Sequence, residues 1–201
     1  MRVYSYVVAV DSGFAPNPFW DVLTLACCKP QIRRHAEPGD VIVGLTSRAR
    51  GNGMVYVAKV AEKLTFEQYW GDPRFRRKRP DMTSSRTVDR CGDNIYEALG
   101  GRRFRQLPSG HSNGEFENPE SKEHDLGGRH VLVSRDFSYF GGEALPLPEA
   151  LGALVVGRAH RCRFPEATVE EVERWRQTLP RGVRSSPYYW RDGDRSWRAC
   201  R

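Results

Sequence analysis

The chain has 201 residues, 39% of them hydrophobic and 28% charged, which excludes wholesale disorder and is enough for one ample core. Its formal net charge is +7, and 27 of the 32 basic side chains are arginine, a guanidinium surplus that attracts phosphate and points to nucleic acid or nucleotide partners. No apolar run is long enough to span a bilayer and no signal peptide opens the sequence, so a cytoplasmic protein without membrane contact is expected.

Val3 to Val10 is β-branched or aromatic at nearly every position and predicts a strand covered on both faces. Pro16 and Pro18 hold Phe14 to Phe19 in a rigid loop that bears rings. Asp21 is expected to cap a short helix through Val22, Leu25 and Ala26, limited by Pro30, with a connection from Ile32 to the Pro38-Gly39-Asp40 turn. Val41 to Leu45 and Met54 to Val60 read as strands joined as a hairpin, and Thr65 with Gln68 forms a capping box for a helix carrying Phe66, Tyr69 and Trp70.

The aliphatic signal then fades across an insertion at 71–129, basic in its first part and acidic in its second. Within it, Asp93 and Asn94 are expected to cap a helix over Ile95 to Leu99. Order returns with a strand at His130 to Ser134, a ring-rich segment ending at Gly141-Gly142, and a strand at Leu154 to Val156. Thr168 and Glu171 make a second capping box, with Val169, Val172, Trp175 and Leu179 on one helical face before Pro180. The tail from Arg181 mixes six arginines with Tyr188, Tyr189, Trp190 and Trp197. Together these elements predict one domain over 1–201, of α+β class, built on a small, strongly bent mixed sheet or barrel with a few short helices and the long insertion.

The five cysteines build no disulfide framework, and neither they nor the histidines have the short spacing of a metal site. Phosphate-cradling, dinucleotide and nucleophile-elbow motifs are missing, so no metal and no cofactor is expected. Three clusters stand out. Phe75 and Phe104 interleave with arginines, the combination that stacks bases and holds phosphates, and Arg33, Arg74, Arg76, Arg77, Arg79, Arg103 and Arg105 are the candidate phosphate ligands. Asp93, Asn94 and Tyr96 offer base-edge and stacking contacts, and Asp136, Tyr139 and Phe140 offer a ring-lined pocket with a carboxylate.

Tyr4-Ser5-Tyr6-Val7-Val8, Gly13 to Phe19, Leu25 to Arg33, Gly39-Asp40, Gly92 to Tyr96 and Asp136 to Gly142 together resemble the second type of bacterial nucleotide modification associated domain. The resemblance implies a setting in DNA base modification and no particular reaction. A looser similarity is to PUA-like domains, through Gly39-Asp40 before a strand, which implies a PUA-like barrel as the alternative fold. The leading expectation is a module that recognises a base, plain or modified, with Phe14, Asn17, Phe19, Asp93, Asn94, Tyr96, Asp136, Tyr139 and Phe140 around it. The alternatives are an enzyme acting on a nucleotide, with Asp93 or Asp136 as acid or base and Lys29 stabilising charge, and a non-catalytic partner of a modification complex. Oligomeric state and the choice between DNA and RNA stay open.

Overall fold

The computed structural model describes residues 1–157 and 159–190, so Trp197 and the arginines after Trp190 lie outside the described residues. The first half runs β1 (Val3–Val7), β2 (Leu23–Leu25), α1 (Pro30–His35), β3 (Val41–Leu45), β4 (Met54–Lys59), β5 (Glu62–Thr65) and α2 (Phe66–Gly71). The insertion holds α3 (Thr87–Arg90), β6 (Tyr96–Ala98), β7 (Phe104–Gln106) and α4 (Pro119–Leu126). The chain then continues through β8 (His130–Ser134), β9 (Asp136–Tyr139), β10 (His160–Arg161), α5 (Glu166–Thr178) and β11 (Gly182–Val183).

A six-stranded mixed sheet has the order β10-β1-β3-β4-β9-β11, and a three-stranded sheet has the order β2-β8-β5. The sheets are joined by bent strands. The β4–β9 ladder ends at the Lys59–Asp136 pair, and the β5–β8 ladder starts at the Glu62–Val133 pair. The Ala61 N–H bridges the bend to the Val133 carbonyl, and Ser134 Oγ donates to the Asp136 carbonyl there. This is the strongly bent mixed sheet expected from short strands. The barrel alternative fails: among the described residues no closed barrel forms, because β10 and β11 end the larger sheet.

Side-chain alternation sorts the larger sheet into two faces. Tyr4, Tyr6, Ile42, Ala58, Phe137 and Tyr139 enter a main core, whereas Val3, Val41, Val43 and Val57 meet Leu151 and Leu154 of a 3-10 segment (Glu149–Leu154) and Val172 of α5 on the other side. The ring-rich segment around β9 therefore needs no external ligand: Phe137 and Tyr139 serve the first core and Phe140 the second. No helix among the described residues is long and apolar enough to cross a membrane.

Several local expectations are corrected. The segment after Asp21 is strand β2, because Leu23, Thr24 and Leu25 pair with Ser134, Val133 and Leu132, and ladder pairing overrides the weak cap. Pro30 opens α1 instead of ending a helix, since its fixed φ and missing N–H suit the first turn. Tyr96 to Ala98 pair with Gln106 to Phe104 as a strand, not a helix, and residues up to Leu154 form a 3-10 turn. The Thr65–Gln68 capping box is present, but α5 starts at Glu166, so Thr168 lies inside it without capping.

Gly44 in β3 lies under the Tyr56 ring, where an added Cβ would come within 2.3 Å of the ring and 2.8 Å of Val8. Tyr56 is fully buried and shares a 2.9 Å hydroxyl contact with Tyr6, so the ring has little room to yield. Gly44→Ala is expected to destabilise the fold by about 1–3 kcal/mol, read as a lowered denaturation midpoint at unchanged slope.

Candidate active site

Between β2 and α1 the chain turns through Ala26, Cys27, Cys28 and Lys29. Cys28 (φ 58°) and Lys29 (φ 41°) are consecutive non-glycine residues in the left-handed region, each costing roughly 1–3 kcal/mol. Such a turn persists only if its surroundings hold it. The Cys28 N–H donates to Asp125 Oδ1 at 2.7 Å, and Arg33 Nε donates to the Cys28 carbonyl at 2.7 Å. Arg33 is itself fully buried, and its Nη1 and Nη2 donate to the carbonyls of His130 (2.8 Å) and Asp125 (2.6 Å). Gly128 permits that approach, since a Cβ there would meet the guanidinium at 2.4 Å.

Asp125 carries a second set of contacts. Its Oδ2 lies 2.6 Å from His111 Nδ1 and accepts the Tyr96 hydroxyl at 2.8 Å. Gln106 Nε2 donates to the His111 carbonyl at 3.1 Å, and the Phe14 ring packs 4.7 Å from the imidazole. The other imidazole nitrogen, Nε2, is 3.6 Å from Cys28 Sγ. A sulfur, an imidazole and a carboxylate thus stand in line, with the sulfur on a strained strand-to-helix turn. Burial opposes charge on His111, yet its contacts with Asp125 and Cys28 outweigh that and push its pKa up to about 10. Burial likewise works against an ionised Asp125, but the His111 contact prevails and holds the carboxyl below its usual range. An imidazolium beside a thiol favours the thiolate, the nucleophilic form.

Cys28 and Lys29 line a cavity of about 370 Å³ with Tyr6, Val8, Ala15, Pro30, His124 and His160. Cys28 therefore borders a concave space.

Ligand atoms of Cys27, His111 and Asp125 also lie within 4.8 Å of one another, a grouping that could hold a metal ion. The same His111 and Asp125 side chains are joined in the hydrogen-bonded relay to Cys28. Both Asp125 oxygens already accept hydrogen bonds, and burial, followed by Asp125 and Asp93, pushes the Cys27 thiol well up.

The residues nominated from sequence do not converge on one pocket. Asp93 is fully buried, accepting from Thr24 Oγ1 (2.7 Å) and the Tyr69 hydroxyl (2.6 Å). Asn17 Oδ1 accepts from buried Lys78 at 2.6 Å, and Asn94 donates to the carbonyls of Tyr69 and Phe75. Tyr139 donates to Asp11 at 2.5 Å, Phe19 stacks on Trp190, and Asp136 pairs with Arg176 and Arg181. Only Phe14 and Tyr96, against the relay, and Lys29, in the cavity, belong to the site. Of the arginines, Arg33 is fully buried with all three of its nitrogens donating to backbone carbonyls, Arg74 pairs with Glu62 and Asp72, Arg79 covers Trp70, and Arg105 pairs with Glu97. Arg76, Arg77 and Arg103 are exposed, with no ion pair found among the described residues.

The sequence profile described as Nucleotide modification associated domain 2 matches residues 1–194. The chain belongs to this family. No curated protein and no solved structure gives a significant match. In this member of the nucleotide modification associated domain 2 family, sequence reasoning passed over His111 and Asp125. Both sit in the insertion, far from Cys28 in the chain. The one local signal was the adjacent pair Cys27-Cys28 ahead of Pro30, with Leu23 to Leu25 read as a strand instead of a helix.

The relay has a pH signature. His111 binds its proton more tightly folded than unfolded, so its contribution is complete below about 6.5 and is lost as pH rises towards about 10. The Asp125 contribution is present above 3.8 and is lost as pH falls through its lowered folded value. Melting temperature is expected to fall between pH 6.5 and pH 10, and to fall less in His111→Gln.

Proposed function

We propose that this protein is a thiol-dependent enzyme of nucleotide modification, transferring or hydrolysing an acyl group on a nucleotide or nucleic-acid substrate. The observation that carries the reading is the line Cys28 Sγ, His111, Asp125 beside a cavity. That order of nucleophile, base and orienting carboxylate suits acyl transfer.

In the first step the Cys28 thiolate forms a C–S bond to the substrate carbonyl carbon, and the carbonyl electron pair moves to oxygen. The pair returns as the bond to the leaving group breaks, and that group departs with the proton from His111 Nε2. An acceptor O–H or N–H then gives its proton to His111, attacks the thioester and releases the thiolate. Asp125 and Tyr96 keep the imidazole oriented throughout, and no external oxidant or reductant is needed.

Family membership supports the nucleotide setting, and the exposed Arg76, Arg77 and Arg103 supply a positive surface for phosphates. A base-binding role without chemistry is supported less well, because most of the polar groups that would read a base are buried and engaged. Asp93 and Asp136, the earlier acid–base candidates, are likewise occupied, whereas Lys29 lies beside the thiol.

Peptide mapping after iodoacetamide treatment tests the reading. Cys28 is expected to be alkylated at least about tenfold faster than the half-buried Cys162, and His111→Ala should remove most of that advantage. Equal rates at the two thiols, or a rate untouched by His111→Ala, would sink it. For the phosphate surface, a double change of Arg76 and Arg77 to Ala should weaken oligonucleotide binding and flatten its salt dependence by roughly two log units per log unit of salt, measured by fluorescence anisotropy.

A further inference from the structure

A second cavity, of about 550 Å³, has walls that include Phe66, Glu67, Arg102, Phe104, Leu126 and Arg129. That volume suits a small molecule, whose sites run from roughly 300 to 1,000 Å³. Among the described residues it shares no lining residue with the Cys28 cavity. Helix α4 contributes to both, His124 to the Cys28 cavity and Leu126 to this one, with Asp125 of the relay between them in sequence.

Two arginines from different parts of the chain meet here. Arg102 lies in the tip of the β6–β7 hairpin, which the Leu99 N–H closes onto the Arg103 carbonyl at 2.9 Å, and Arg129 lies in the turn from α4 to β8. Both are exposed, and among the described residues neither guanidinium has an ion pair or a hydrogen bond. The carboxylate of the wall, Glu67, is exposed too and pairs with neither, so the lining carries two free cations against one free anion. Both arginines have left-handed backbone (φ 60° and 63°), which glycine adopts without steric cost, so the turns themselves do not call for a long charged side chain. Beside them, half-buried Phe104 packs edge-on against Phe66 at 5.9 Å, and Phe66 meets Tyr96 edge-on at 5.5 Å. The Phe104 ring is thus held from behind while part of it stays open to the cavity.

We propose that this cavity is a nucleotide seat separate from the thiol cavity, in which a base stacks on Phe104 and its phosphate is held by Arg102 and Arg129. A fixed ring beside guanidinium groups retains a base and its phosphate together, whatever the base. Glu67 supplies acceptor oxygens for the N–H groups of the base. The seat stands whether or not Cys28 is a nucleophile. A free nucleotide and one unit of a single strand offer it the same chemistry.

Calorimetric titration of the full chain with nucleoside monophosphates and with the matching nucleosides tests the seat. At least one monophosphate is expected to bind about tenfold more tightly than its nucleoside. Arg102→Gln and Arg129→Gln should each weaken the monophosphate about fivefold and leave the nucleoside within about twofold, because the lost contact is to phosphate. Phe104→Leu should weaken both ligands alike, with melting curves confirming that each variant folds. The paired change of Arg76 and Arg77 to Gln, outside this lining, controls for diffuse charge and should alter monophosphate binding by less than about twofold. Equal affinity for monophosphate and nucleoside overturns the seat, as does a loss in the control as large as that at Arg102 and Arg129. So does the lack of saturable binding by any monophosphate or by a single-stranded hexanucleotide. Each of these results leaves the alkylation test of Cys28 untouched. A hexanucleotide bound far more tightly than the monophosphate, with the same dependence on Arg102 and Arg129, identifies a strand as the ligand, and equal binding identifies a free nucleotide.

Discussion

One buried carboxylate, Asp125, ties the insertion to the sheet. Its two oxygens and its backbone carbonyl reach the Cys28 N–H, the His111 imidazole, the Tyr96 hydroxyl and the Arg33 guanidinium, groups drawn from the β2–α1 turn, two stretches of the insertion and α1. A carboxylate taken out of water survives only when nearly every lone pair is matched, and here the matching partners are also what fix the insertion in place. The strained turn at Cys28 and Lys29 is one consequence, since it closes only with Asp125 beneath it. The alignment of the imidazole with the sulfur is another.

A second polar cluster does similar service on the far side of the insertion. Lys78 is fully buried among the carbonyl of Asn17, its side-chain oxygen and the carbonyl of Val22, and burial brings its pKa down to about 7 against the opposing pull of Asp93. Asp93 in turn is pushed up by burial, although Lys78, Tyr69 and Thr24 act the other way. The Phe14 to Phe19 loop is held through these contacts, and Phe14 reaches the His111 ring. What composition marks as an aliphatic-poor excursion is packed through polar side chains in place of aliphatic ones.

That explains how much of the molecule was legible beforehand. Strands at 3–7, 41–45, 54–59 and 130–134 and the helix through Val172 follow from apolar periodicity, which is a local property of the chain. Leu23-Thr24-Leu25 and Tyr96 to Ala98 were misread because three-residue strands carry too little pattern, and their state is decided by partners elsewhere in the sequence. The bent sheet was legible from strand length and the barrel was not excluded by it, since closure depends on edges that periodicity does not describe. The site was the least legible part. Asp93, Asn94 and Tyr139 look like ligand-reading residues by type, and only three-dimensional contacts reveal that they serve the interior. Cys28, His111 and Asp125 carry no motif, because their meaning arises from convergence across the fold.

The order of those three residues along the chain has a bearing on biosynthesis. Cys28 leaves the ribosome well before His111 and Asp125, and until the insertion docks it has neither the imidazolium nor the carboxylate beside it. Under the thiol reading, the nascent cysteine is an ordinary thiol, no more prone to stray alkylation or oxidation than any other. On that reading reactivity would switch on only with completion of the fold, when His111 and Asp125 reach the sulfur.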